Sequence, residues 1–168
     1  MSIEEICKEY WIKNYTINDD NSIDVEGDIV LRSLKLTKFP LTFNKVSGSF
    51  NCVANELTSL EGCPKVVGGN FDCSNNKLTS LESGPESVGG FYSCSNNFLT
   101  TLKGCPESLY DYFDCYNNKI TSLEFGPKLL SDYFYCNQNP IGSISSKMDK
   151  DFFKTFKSFK VLKDGVIN

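Results

Sequence analysis

The sequence predicts an α/β repeat solenoid built from 21-residue coils, with a parallel β-sheet on its concave face and a helix capping each end. Three observations carry that expectation. Five cysteines recur every 21 residues, other residue types keep a fixed phase around each of them, and both termini place apolar residues at helical spacing.

The ladder cysteines are Cys52, Cys73, Cys94, Cys115 and Cys136. Two residues before each stands an aromatic: Phe50, Phe71, Tyr92, Phe113, Phe134. Three residues after each stands Asn55, Asn76, Asn97, Asn118 or Asn139, and the next positions in phase bring Leu or Ile pairs such as Leu78 with Leu81 and Leu99 with Leu102. Side chains two apart on a strand point to the same side, so the aromatic and the Cys face inward and their neighbours face out. The Asn turns the chain out of the strand, and its amide can satisfy backbone groups that the bend leaves unpaired. Gly and Pro in the following turn, as at Gly62 with Pro64 and Gly84 with Pro85, favour an extended or turn-like convex side; a coil of this length has no room for a long helix. Ile29, Leu31, Leu36, Phe39 and Val46 fill the same phases one coil earlier, where Leu34 replaces the Asn, so about six coils are expected.

One coil cannot bury its apolar side alone, and the array needs capped ends. Residues 1–27 are expected to form an N-terminal cap, residues 28–145 the repeats, and residues 146–168 a capping helix and tail. In the first, Ile3, Ile6, Cys7, Tyr10 and Trp11 fall at helical spacing, and a hairpin turns at residues 18–21. In the last, Phe152, Phe153, Phe156 and Phe159 fall on a predicted helix over residues 147–162 with lysines between them.

The pattern F-x-C-x-x-N-x-L-x-x-L resembles the leucine-rich-repeat consensus. More specifically, VGGNFDCSNNKLTSL from Val67 and VGGFYSCSNNFLTTL from Val88 are similar to the tandem repeats of leucine-rich-repeat proteins encoded by large tailed bacteriophages. The resemblance covers roughly residues 28–141 and implies a phage solenoid acting in the cytoplasm of the bacterial host. It implies no partner, because a fold does not carry a function. The later coils depart from the phrase: Gly68-Gly69 and Gly89-Gly90 give way to Tyr110-Asp111 and Ser131-Asp132, which predicts a remodelled rim.

Composition narrows the function classes. The chain has 168 residues and a formal net charge of −4 with no His, which removes the commonest general base and metal ligand. Residues 46–145 carry about twice as many acids as bases, which argues against nucleic acid as the main partner. The charged N-terminus and the lack of a long apolar run predict a cytoplasmic chain with no membrane anchor. Parallel in-core cysteines, with no C-x-x-C pair, predict reduced thiols and no metal site or other cofactor. Cys63 and Cys105 lie two coils apart, roughly 9.6 Å at the usual strand spacing, beyond the reach of a disulfide, and are expected to be free and partly exposed. The oxygen-rich run at residues 18–24 lacks the Gly and closing Glu of a calcium loop and reads as a turn. The lysines of the C-terminal segment read as the solvated face of the cap.

The outward strand positions carry the functional expectation. Phe91, Tyr112, Tyr116, Tyr133 and Tyr135 gather in the last coils, with Asp72 and Asp114 beside them. Aromatics in a row on a strand face are costly to leave wet and serve as interface anchors. Stacked in register, Phe91, Tyr112 and Tyr133 are expected to form one column of rings about 4.8 Å apart. The sequence therefore points to a monomeric, non-enzymatic module that binds a protein partner with a basic surface; the alternative is a structural component of a virion or larger assembly.

Overall fold

In the computed structural model, which describes residues 1–141, 161–163 and 166–167, each coil makes two short strands separated by a three-residue corner. The first set is β2 (Ile23–Val25), β4 (Phe43–Val46), β6 (Val66–Val67), β8 (Ser87–Val88), β10 (Ser108–Leu109) and β12 (Leu129–Leu130), which pair in parallel in that order. The second is β3 (Ile29–Val30), β5 (Phe50–Asn51), β7 (Phe71–Asp72), β9 (Tyr92–Ser93), β11 (Phe113–Asp114) and β13 (Phe134–Tyr135), also parallel. Register is kept throughout the second sheet, Ile29 opposite Phe50, Phe50 opposite Phe71 and so on to Phe113 opposite Phe134. The result is a β-solenoid of about five 21-residue turns.

This corrects the α/β expectation. The only helix among the described residues is α1 (Ile3–Glu9), and the side expected to be merely extended or turn-like carries a second parallel sheet. The expected C-terminal capping helix falls mostly outside the described residues, and its last two residues, Val161 and Leu162, lie in strand β14 (Val161–Lys163). That strand extends the second sheet by pairing in parallel with β13, and β15 (Val166–Ile167) returns antiparallel to it.

The first end is closed by α1, whose capping box pairs the Ser2 side chain with the Glu5 backbone and the Glu5 carboxylate with the Ser2 amide. Trp11, expected on the helix's apolar face, sits beyond it at φ 58° and is 83% exposed. It occupies the left-handed position of a Schellman closure: its amide bonds to the Lys8 carbonyl and the Ile12 amide to the Cys7 carbonyl, which turns Ile12 inward. The hairpin of β1 (Tyr15–Ile17) with β2 follows, and its oxygen-rich loop is satisfied internally, Asp20 accepting from the Ser22 amide and hydroxyl.

Two ladders hold the coils together. Aromatic rings form a spine from Phe50 to Phe134 with centroid spacings of 4.8 to 6.0 Å. Beside them Cys52, Cys73, Cys94 and Cys115 are fully buried free thiols whose ionisation burial opposes, and the Cys52 and Cys73 thiols donate to the carbonyls of Asp72 and Ser93 one coil on. Cys63 is buried as well, contrary to the expectation of partial exposure, while Cys105 is half-buried.

The Asn ladder does more than close its own bend. The Asn97 side-chain oxygen accepts from the Leu78 amide of the preceding coil at 3.0 Å, and its amide nitrogen donates to the Cys73 and Cys94 carbonyls at 3.1 Å each. Asn76 and Asn118 repeat this arrangement, as does Asn139, and Asn55 serves the first coil through Leu34, Leu36, Leu31 and Cys52. Each Asn is thus a clamp between two coils.

Tyr92 is the one member of the inward spine with a hydroxyl, and that hydroxyl is buried with no hydrogen-bond partner. It has room because Gly84 stands where Cys63 and Cys105 stand in the adjoining coils; a Cβ on Gly84 would come within 3.4 Å of the phenol oxygen and 2.9 Å of Leu60. A buried hydroxyl left unpaired costs free energy that a phenyl ring does not. Tyr92→Phe should therefore raise stability by about 1 kcal/mol, read as a higher urea midpoint at unchanged m-value; a lower midpoint would show that the hydroxyl is satisfied in solution.

Candidate functional site

The outward face of the second sheet changes character along the solenoid. At the position just before the strand, the early coils use a polar side chain to accept the backbone amide of the next coil: Asp28 from Ser49, Ser49 from Asn70, and Asn70 from Phe91. That chain of bonds stops at Phe91, which has no acceptor, and Tyr112 takes the same position in the next coil. Its amide bonds instead to the neighbouring Asp111 carboxylate at 2.8 Å.

The corner changes at the same place. Amides of Gly48, Gly69 and Gly90 bond in succession to the carbonyls of Gly27, Gly48 and Gly69, and the run ends there among the described residues. A Cβ on Gly89 would lie 2.1 Å from the Gly68 carbonyl oxygen, so the corner between these two coils leaves no room for a side chain at that position. Tyr110 and Asp111 can stand in the next coil because these corner bonds do not continue; Tyr110 is 75% exposed there.

What replaces the polar chain is a group of rings. Phe91 and Tyr112 stack at 4.6 Å with planes 8° apart. The expected three-ring column does not continue as a simple repeat: Tyr112 meets Tyr135 edge-on at 5.8 Å and 80°, and Tyr133 lies beside Tyr135 at 5.8 Å and 28°. Rings at near right angles are a favourable pairing of positive edge with negative face, and here they make a corner. All five predicted aromatics, Tyr116 included, are half-buried, as are Asp72 and Asp114.

Tyr112, Asp114, Tyr116, Tyr135 and Asn137 line a shallow hollow of about 500 Å³. Asp114 is held firmly in it: one carboxylate oxygen accepts the Tyr116 amide at 2.9 Å, and the other accepts the Ser93 hydroxyl at 3.3 Å. Burial pushes the Asp114 carboxyl above its ordinary value, opposed by those hydrogen bonds and by one from Ser95. Burial likewise raises the Tyr112 phenol, reinforced by the charges of Asp114, Asp72 and Asp111. Asp72 makes the equivalent bond to the Ser74 amide at 3.0 Å one part of the face further back.

Ser74, Ser93, Ser95 and Asn137 were not expected in the site. The three serines are buried on the outward face and form a low floor beside the rings, with Ser93 and Ser95 seating the Asp114 carboxylate. The signal for Ser93 and Ser95 was their small size at outward positions next to a carboxylate one coil on. A second hollow of about 460 Å³ lies elsewhere, lined by Ile3, Phe39, Thr42 and Glu61 among others, and brings none of the predicted site residues together.

Among the described residues no group of three or more Cys, Asp or Glu could hold a metal ion, and no helix is long and apolar enough to cross a membrane. No family model, curated protein or solved structure matches the chain. It is a β-solenoid repeat protein. The fold and the residues on its faces are therefore what its function must be argued from.

Proposed function

We propose that the chain is a non-enzymatic protein-binding solenoid of the leucine-rich-repeat kind, encoded by a large tailed bacteriophage, which holds or blocks a host protein in the bacterial cytoplasm. The tandem GG-x-F-x-C-S-N-N-x-L-T phrase supports the origin. The observation that carries the activity is the change of face at Phe91, where a chain of backbone-satisfying polar side chains gives way to half-exposed rings beside an anchored carboxylate. A structural role alone would be served by continuing the Asp28, Ser49, Asn70 series. Rings at these positions give up interior bonds and put apolar area on the surface, which suits a partner.

Charge defines that partner further. Asp72, Asp111 and Asp114 lie close enough to the rings to disfavour a negative charge on Tyr112, so the surface that fits is basic, and association should weaken as salt rises. The strand face of the whole solenoid is only on the order of 400 Å², about half of one partner's share in a standard interface, so the altered rim at Tyr110 and Asp111 contributes as well.

The test is capture from host lysate by wild-type protein and by variants. Tyr112→Ala and Tyr133→Ala should each weaken binding of the captured partner by at least about 1 kcal/mol while the fold persists. Thr79→Arg, at an exposed position outside both sheets, should leave it unchanged. The opposite pattern, or capture of capsid and tail proteins alone, would overturn the reading.

A further inference from the structure

Resting on the protein-binding reading, the geometry of the aromatic corner points to a narrower recognition event. We propose that the hollow lined by Tyr112, Asp114, Tyr116, Tyr135 and Asn137 is a pocket for the guanidinium of an arginine side chain presented by the partner.

Three features of the hollow select that group. Its walls are ring faces and edges set nearly at right angles, Tyr112 against Tyr135 at 80°, with Tyr116 on another side. Its charge is one carboxylate, fixed by the Tyr116 amide and the Ser93 hydroxyl before any ligand arrives. None of the described residues lining it is basic, so that charge is not already answered there.

Other ligand classes fit less well. An anion would meet Asp114 with Asp72 and Asp111 nearby. A bare metal ion needs several oxygen ligands, and the lining supplies one carboxylate whose two oxygens already accept hydrogen bonds. An apolar side chain would bury Asp114 more deeply with nothing to neutralise it. An ammonium is compact and strongly hydrated, and gives up much of that hydration against tyrosine rings. A guanidinium is planar and weakly hydrated; it can lie on a ring face while its edge donates to the lone pairs of Asp114 that remain. The raised Asp114 carboxyl agrees with a site whose ionised form lacks its counter-charge until a cation binds.

The test uses the full chain and small probes, followed by NMR on the tyrosine rings. N-acetyl-arginine amide should give saturable shifts at Tyr112, Tyr116 and Tyr135, with a dissociation constant on the order of 1 to 10 mM for so small a contact. The neutral isostere N-acetyl-citrulline amide should give no saturation, and N-acetyl-lysine amide should bind at least threefold more weakly. Asp114→Asn, which keeps the size and one acceptor oxygen while removing the charge, should weaken the arginine probe at least fivefold, and Tyr135→Leu, which removes a wall, should do the same. Citrulline or lysine probes binding as tightly as arginine, or both variants binding like wild type, would overturn the pocket. The two proposals fail separately: arginine binding without any Tyr112-dependent protein partner removes only the docking reading, and a Tyr112-dependent partner with no response to the arginine probe removes only the pocket.

Discussion

Asn97→Ala should lower the folding free energy by about 2 to 4 kcal/mol, among the larger losses expected from a single truncation in the chain. The Leu78 amide loses its side-chain acceptor and is orphaned, while the Cys73 and Cys94 carbonyls each lose one of two amide donors and keep the other, from Asn76 and Asn118, all in a region closed to water. A buried amide left unpaired costs about 1 to 3 kcal/mol, and the two weakened carbonyls together add about 1 kcal/mol unless a trapped water repairs them. Because ordinary domains are stable by only about 5 to 15 kcal/mol, the variant should melt at markedly lower urea or fail to fold at 37 °C. Asn97→Asp should be nearly as harmful, since a carboxylate keeps the acceptor but loses the donors and buries a charge. A loss below about 1 kcal/mol would mean that the Asn clamps do not join the coils.

Leu81→Ala should cost about 2 to 5 kcal/mol through the cavity it leaves. Leu81 is fully buried, and the positions one coil before and after it are Leu60 and Leu102, also fully buried. Their backbones are fixed by the sheet register and the Asn clamps, so neither neighbour can sink into the space, which places the effect toward the upper end. Thermal unfolding of the variant checks this; a midpoint within a degree or two of wild type would show that Leu81 does not face the interior.

Much of this architecture could be read from the sequence because a solenoid repeats its evidence. A phase seen once at Cys52 recurs at Cys73 and Cys94, and inward aromatics, buried thiols and Asn turns all follow from it. The first sheet was less legible for a physical reason. From β6 onward its strands are two residues long, as in Val66–Val67, and each sends a single side chain inward, so there is no alternation to detect. The helical label came from the leucine-rich-repeat analogy and from the termini, and only α1 supports it among the described residues.

The site was legible in composition and not in geometry. Outward phase identified Phe91, Tyr112, Tyr116, Tyr133 and Tyr135, but a fixed coil spacing says nothing about how each ring turns about its own bonds, and Tyr112 turns its face to Phe91 while meeting Tyr135 at an edge. The reach of Asn97 back to the preceding coil, and the serine seat under Asp114, likewise depend on contacts between coils that a one-dimensional period does not show. Tyr92 could be named as an inward residue, yet its orphaned hydroxyl appears only once Gly84 is seen opposite it.

The aromatic end of the second sheet as the docking face is the claim on which the functional account stands. Oxidative footprinting of tyrosine rings, with and without the captured partner, addresses it directly. Tyr112, Tyr116, Tyr133 and Tyr135 are half-exposed in the free chain, and the partner should protect them together. Tyr10 at the N-terminal cap and Phe98 in the turn after β9, both open to solvent in part, should react unchanged. Protection of Phe98 or Tyr10 with the four face tyrosines still reactive would contradict the account and move the interface to another surface.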